Sequence, residues 1–76
     1  MLRKVTKGYV LNNIGKPVME LQTSSNGKVE ENYYLIYAYR SVWDGEIKES
    51  VRLVDSKGCY VERDIDKVLD NFYMVV

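Results

Sequence analysis

Asp44-Gly45, set between the strand-forming runs 33–43 (YYLIYAYRSVW) and 46–55 (EIKESVRLVD), constrains this chain more than any other pair of residues. Asp-Gly is a preferred loop for a two-residue type I′ hairpin, because both central residues take positive φ and glycine does so without steric cost. Such a loop sets Trp43 opposite Glu46, and every other pair follows from that. Val42 then faces Ile47, Arg40 faces Glu49, Ala38 faces Val51, Ile36 faces Leu53 and Tyr34 faces Asp55. Apolar residues meet apolar ones and opposite charges meet, as cross-strand pairing prefers. This register predicts a core face of Ile36, Ala38, Val42, Ile47, Val51 and Leu53. The other face carries Leu35, Tyr37, Tyr39, Ser41 and Trp43 against Val54, Arg52, Ser50, Lys48 and Glu46, a mixture of large aromatics and cations.

Alternating or helical patterns place the remaining segments. Residues 5–11 read as a strand with Val5, Tyr9 and Leu11 on one face and a bulge at Gly8. The run Asn12-Asn13-Ile14-Gly15-Lys16 is turn chemistry. Residues 17–23 read as a second strand, with Met19, Leu21 and Thr23 on one side and Val18, Glu20 and Gln22 on the other, and Pro17 at its head hints at a sheet edge. Residues 24–32 (SSNGKVEEN) form the most polar stretch and read as a loop around Asn26-Gly27. Asp55-Ser56-Lys57-Gly58 reads as a tight turn before a short strand over 59–62. The period then changes: Ile65, Val68, Leu69 and Phe72 fall at i, i+3, i+4 and i+7, so they share one helical face, with Asp64 as N-cap. The apolar end, 73–76, reads as a last strand paired with the first or as a segment packed beneath the sheet.

These elements predict one domain over residues 1–76 with a mainly β fold. The expected architecture is a curved antiparallel sheet or small barrel of about five strands with a short C-terminal helix. An open α+β sheet with that helix across one face is the alternative. A chain of 76 residues, 46% of them apolar and seven of them tyrosine, has the composition of a folded globule near the lower size limit for folding without staples. It carries no apolar run of membrane-spanning length and no signal-peptide pattern, which with the single Cys59 suits the reducing cytoplasm. Cys59 reads as a small strand residue.

Residue inventory narrows the chemistry further. The chain has no histidine, which removes Ser/His and Cys/His nucleophile systems and histidine metal sites. Glu30 and Glu31 are neighbours on an extended segment and point apart, so they do not form an acid/base couple. Asp64 and Asp66 are explained by the N-terminal end of a helix without a metal. No glycines are spaced to cradle a phosphate. The expectation is therefore a non-enzymatic protein without cofactor or metal. Its function would be to bind a macromolecular partner through Trp43, Tyr37, Tyr39, Arg52 and Lys48. Interfaces favour Tyr, Trp and Arg without requiring net positive charge, so a protein partner ranks first. A single-stranded nucleic acid, stacking its bases on the aromatics, ranks second, because net charge is zero. Self-association into a homo-oligomer is the third expectation, and no membrane role is expected.

Overall fold

The computed structural model describes residues 2–75. In chain order it comprises helix α1 (Lys7–Asn12), strands β1 (Pro17–Thr23), β2 (Val29–Trp43), β3 (Ile47–Asp55) and β4 (Tyr60–Asp64), helix α2 (Ile65–Asn71) and strand β5 (Phe72–Met74). The strands make one antiparallel sheet in the order β4-β3-β2-β1-β5. The sheet does not close into a barrel. It is nonetheless strongly curved, since Arg63 on β4 reaches Glu20 on β1 at 3.2 Å although β3 and β2 lie between them. Among the described residues no helix is long and apolar enough to cross a membrane.

Both helices cover the concave side. Val10 of α1 and Val68 of α2 are buried in one cluster with Val5, Val18, Ile36, Val51, Leu53 and Phe72. Val18 and Glu20 thus point inward on β1, and Met19, on the alternate side with the more exposed Leu21 and Thr23, is buried as well. β1 is also interior to the sheet despite Pro17, because β5 pairs along it. A last strand does form, as β5, but it begins at Phe72 and pairs with β1 rather than with residues 5–11. On its other side it meets Lys4, and Met74 N–H donates to the Arg3 carbonyl at 2.8 Å. Val76 lies outside the described residues.

Residues 5–11 are not a strand. The Thr6 hydroxyl accepts from the Tyr9 N–H at 3.1 Å and starts α1, and the Asn12 and Asn13 side-chain amides donate to the Gly8 and Tyr9 carbonyls at its end. These caps at both ends outweigh the apparent alternation of Val5, Tyr9 and Leu11. Gly8 is therefore a helix residue rather than a bulge. The loop around Gly27 is shorter than its polarity suggests: Ser24 N–H bonds the Lys28 carbonyl at 2.8 Å, and β2 begins at Val29. Asp55 and Gly58 close the last tight turn as expected, and β4 starts at Tyr60, leaving Cys59 exposed before it.

The central hairpin differs in register, and the cause is local. Gly45 has φ 74°, but no other residue around it is left-handed, so Asp44 does not take the positive φ that a type I′ turn demands. The loop widens to Asp44-Gly45-Glu46, with Trp43 opposite Ile47 and Asp44 N–H bonded to the Glu46 carbonyl at 3.0 Å. From there Val42 faces Lys48, Tyr39 faces Val51 and Ala38 faces Arg52. A bulge at Tyr37 absorbs the extra residue, and Ile36–Leu53 and Tyr34–Asp55 pair as alternation foresees. One consequence is that Val42, expected in the core, turns to the other side and is exposed; Ile47 keeps its side but lies past the end of the core and is exposed too.

Candidate functional site

The bulge decides which side chains reach the convex side of the sheet. On β3, Val51 and Leu53 are fully buried, so Ile47 and Glu49 share their concave side while Lys48, Arg52 and Val54 stand on the convex side. Pairing carries the same division to β2. Tyr39, opposite Val51, packs on the core, and Trp43, opposite Ile47, lies on that side as well. Trp43 sits past the end of the core at the hairpin tip and is 72% exposed. Tyr37 lies on the convex side, where its ring meets Tyr60 edge-on at a centroid distance of 5.1 Å.

The five expected contact residues therefore separate. Tyr37, Arg52 and Lys48 share the convex side, and Tyr39 and Trp43 do not join them. Tyr39 is held by α1: the Lys7 ammonium lies 5.7 Å from the centre of its ring and 2.6 Å from Glu49. The Lys7 bond holds the Glu49 carboxyl below its ordinary pKa, and Glu49 in turn raises Lys7. This contact ties the hairpin arm to the first helix.

The convex side adds residues that alternation alone did not single out. Every second residue of β2 on this side is exposed: Val29, Glu31, Tyr33, Leu35, Tyr37, Arg40 and Val42. Tyr60 of β4, opposite Val54, extends the patch sideways. Arg52 meets Glu62 at 3.4 Å across the same side, an exposed pair of little energetic weight. The Tyr33 hydroxyl donates to Glu31 at 2.9 Å, and that carboxylate raises the phenol's pKa. Neither helix covers this side. It is a sheet surface of aromatic and aliphatic groups with charges of both signs at its margins.

Comparison with known proteins adds no relative: no family model, no curated protein and no solved structure matches this chain.

A second concavity lies at the opposite side, between β1, β4 and α2, lined by Glu20, Gln22, Glu62, Arg63, Lys67 and Asn71 among others. At its floor Glu20 and Arg63 form an ion pair. Glu20, only 3% exposed, accepts from Arg63, from Gln22 at 3.2 Å and from the Tyr34 hydroxyl at 3.4 Å. Burial, and then the Glu20 charge, push the Tyr34 phenol above its usual pKa. Among the described residues no group of three or more acidic or thiol side chains is placed to hold a metal ion. The cluster clasps the two sides of the curved sheet together.

Proposed function

We propose that this protein is a non-catalytic binding module that engages a protein partner through the convex face of its sheet. The contact residues are Tyr33, Leu35, Tyr37 and Tyr60, flanked by Arg40, Lys48 and Arg52. The single observation behind this reading is exposure: Leu35 is 49%, Tyr37 52% and Tyr60 63% accessible on one continuous face that neither helix covers. A contiguous patch of this kind, rimmed by polar groups, marks an interaction surface on a small soluble domain. Aromatic anchors with arginine at the rim are the usual carriers of interface energy. Trp43 remains a contact candidate at the hairpin tip as a separate point.

A Leu35→Arg bait tests the reading against wild type in affinity capture from the native host. Because Leu35 is half-exposed, the substitution should change stability by no more than about 0.5 kcal/mol, yet reduce partner retention at least tenfold. An unchanged set of captured proteins would remove this face from the function. The second reading, a single-stranded nucleic acid stacking on Tyr33, Tyr37 and Tyr60, draws on Arg40, Lys48 and Arg52 beside them. It requires oligonucleotide binding at low salt that falls steeply as salt rises.

A further inference from the structure

The exposed side of β2 is chemically palindromic about Leu35. Outward from Leu35 in one direction come Tyr33, Glu31 and Val29; in the other come Tyr37 with Ala38, then Arg40, then Val42. The bulge at Tyr37 is what brings Arg40 rather than Tyr39 to the mirror position of Glu31. Aromatic thus mirrors aromatic and aliphatic mirrors aliphatic. The one charged pair of positions carries opposite signs.

We propose that the partner of this face is a second copy of the chain, stacked sheet on sheet across a two-fold axis through Leu35. This inference rests on the preceding reading of the convex face and names its partner. A two-fold interface must be self-complementary, each residue meeting its mirror position on the other copy. Here Leu35 meets Leu35 of the second copy, each Tyr33 meets a Tyr37, and each Glu31 meets an Arg40. A heterologous partner would place no such condition on the order of residues along one strand. Zero net charge removes long-range repulsion between the copies. Two stacked sheets keep their strands within about 30° of each other, which allows this antiparallel alignment of the two β2 strands. β1 flanks β2 only from Val29 to Leu35 and β3 only from Tyr34 to Trp43, so about three strands lie side by side towards either end. At a strand spacing of about 4.8 Å and a rise of about 3.3 Å per residue, the face from Glu31 to Arg40 covers roughly 14 by 30 Å. Two such faces bury roughly 800 Å², the size of a weak, reversible interface, which is why the association is sought over a wide concentration range.

Sedimentation of the wild type from about 1 to 500 μM should pass from monomer to dimer. Glu31→Arg sets arginine against Arg40 of the other copy, and Arg40→Glu sets glutamate against Glu31, so each single change should weaken the dimer at least tenfold. The double variant Glu31→Arg/Arg40→Glu recreates the pairs with their signs exchanged and should return the dimerisation constant to within about threefold of wild type. Circular dichroism of each variant verifies the fold, and because Arg40 has no side-chain partner among the described residues, its variant is free of the lost Tyr33–Glu31 bond. Three outcomes overturn the proposal: a wild type monomeric throughout, a dimer indifferent to both single changes, or a double variant no better than the singles. A monomer that binds another protein through Leu35 would give the face a different occupant and retain the wider reading, and one that binds oligonucleotides there would favour the second. Unchanged capture by the Leu35→Arg bait would remove the wider reading as well.

Discussion

Phe72→Ala should cost this domain a large share of its stability. Phe72 is the largest fully buried side chain, sits where α2 gives way to β5, and lies 6.0 Å from the Tyr34 ring. Its backbone also bonds the Val5 N–H at 3.0 Å, so the N-terminal segment, α2 and β1 meet around one ring. Truncating a buried phenylalanine costs about 3–5 kcal/mol, from lost burial and from the cavity left behind. A domain of 76 residues has a total stability of only about 4–11 kcal/mol at the usual values per residue. In a domain of this size each kcal/mol lowers Tm by about 4–8 °C, so the variant should melt at least about 12 °C below wild type, if it folds. A Tm within a few degrees of wild type would mean that the core is not centred on this residue.

Arg63→Met should be nearly as damaging, and distinctly worse than Glu20→Met. The two side chains form one ion pair but differ in burial: that of Arg63 is 27% exposed and that of Glu20 only 4%. Removing the arginine leaves a carboxylate sealed inside with only the Gln22 amide and the Tyr34 hydroxyl, and an uncompensated buried charge costs about 3–5 kcal/mol. Removing the glutamate leaves a guanidinium that can turn to water, at a cost of about 1 kcal/mol. Replacing both with methionine should recover most of the loss, since a packed apolar pair can substitute for a buried ion pair. Urea unfolding of the two singles and the double gives the coupling directly. Equal losses for the two single variants would show that Glu20 is solvated and the clasp across the sheet is not formed.

How much of this fold can be read from the residues depends on whether local and long-range preferences agree. β1 spans Pro17–Thr23 as its composition indicates, the reversals at Gly27 and Gly58 occur at the Asn-Gly and Lys-Gly pairs, and the apolar spacing from Ile65 marks α2. Asp64 stands at the N-cap of α2, although its side chain makes no capping bond there. α1 is hidden because six residues hold too little of a helical period, and its only local marks are Thr6 before it and the asparagine pair at its end. Glu20 is a polar residue whose inward position depends on Arg63, 43 residues away, and no local pattern carries that information.

The candidate face is legible in kind but not in membership. Strand parity about Asp44-Gly45 anticipates one side rich in aromatics and cations, and Tyr37, Arg52 and Lys48 do lie together. Tyr39 and Trp43 are on the other side because one residue entered the loop and one entered the bulge, and each such insertion inverts the alternation up to the other. An aspartate that declines positive φ is the origin of both. Tyr33 and Tyr60 do not stand out in the sequence, since Tyr33 lies at the very start of the strand-forming run and β4 is short.

Cross-strand nuclear Overhauser contacts in the central hairpin test most directly whether the convex face is composed as described. The account predicts contacts of Tyr39 with Val51, Ala38 with Arg52, and Trp43 with Ile47. Contacts of Ala38 with Val51 and of Val42 with Ile47 would instead restore an unbulged hairpin, return Tyr39 and Trp43 to the side of Tyr37, and contradict both the palindrome and the face built on it.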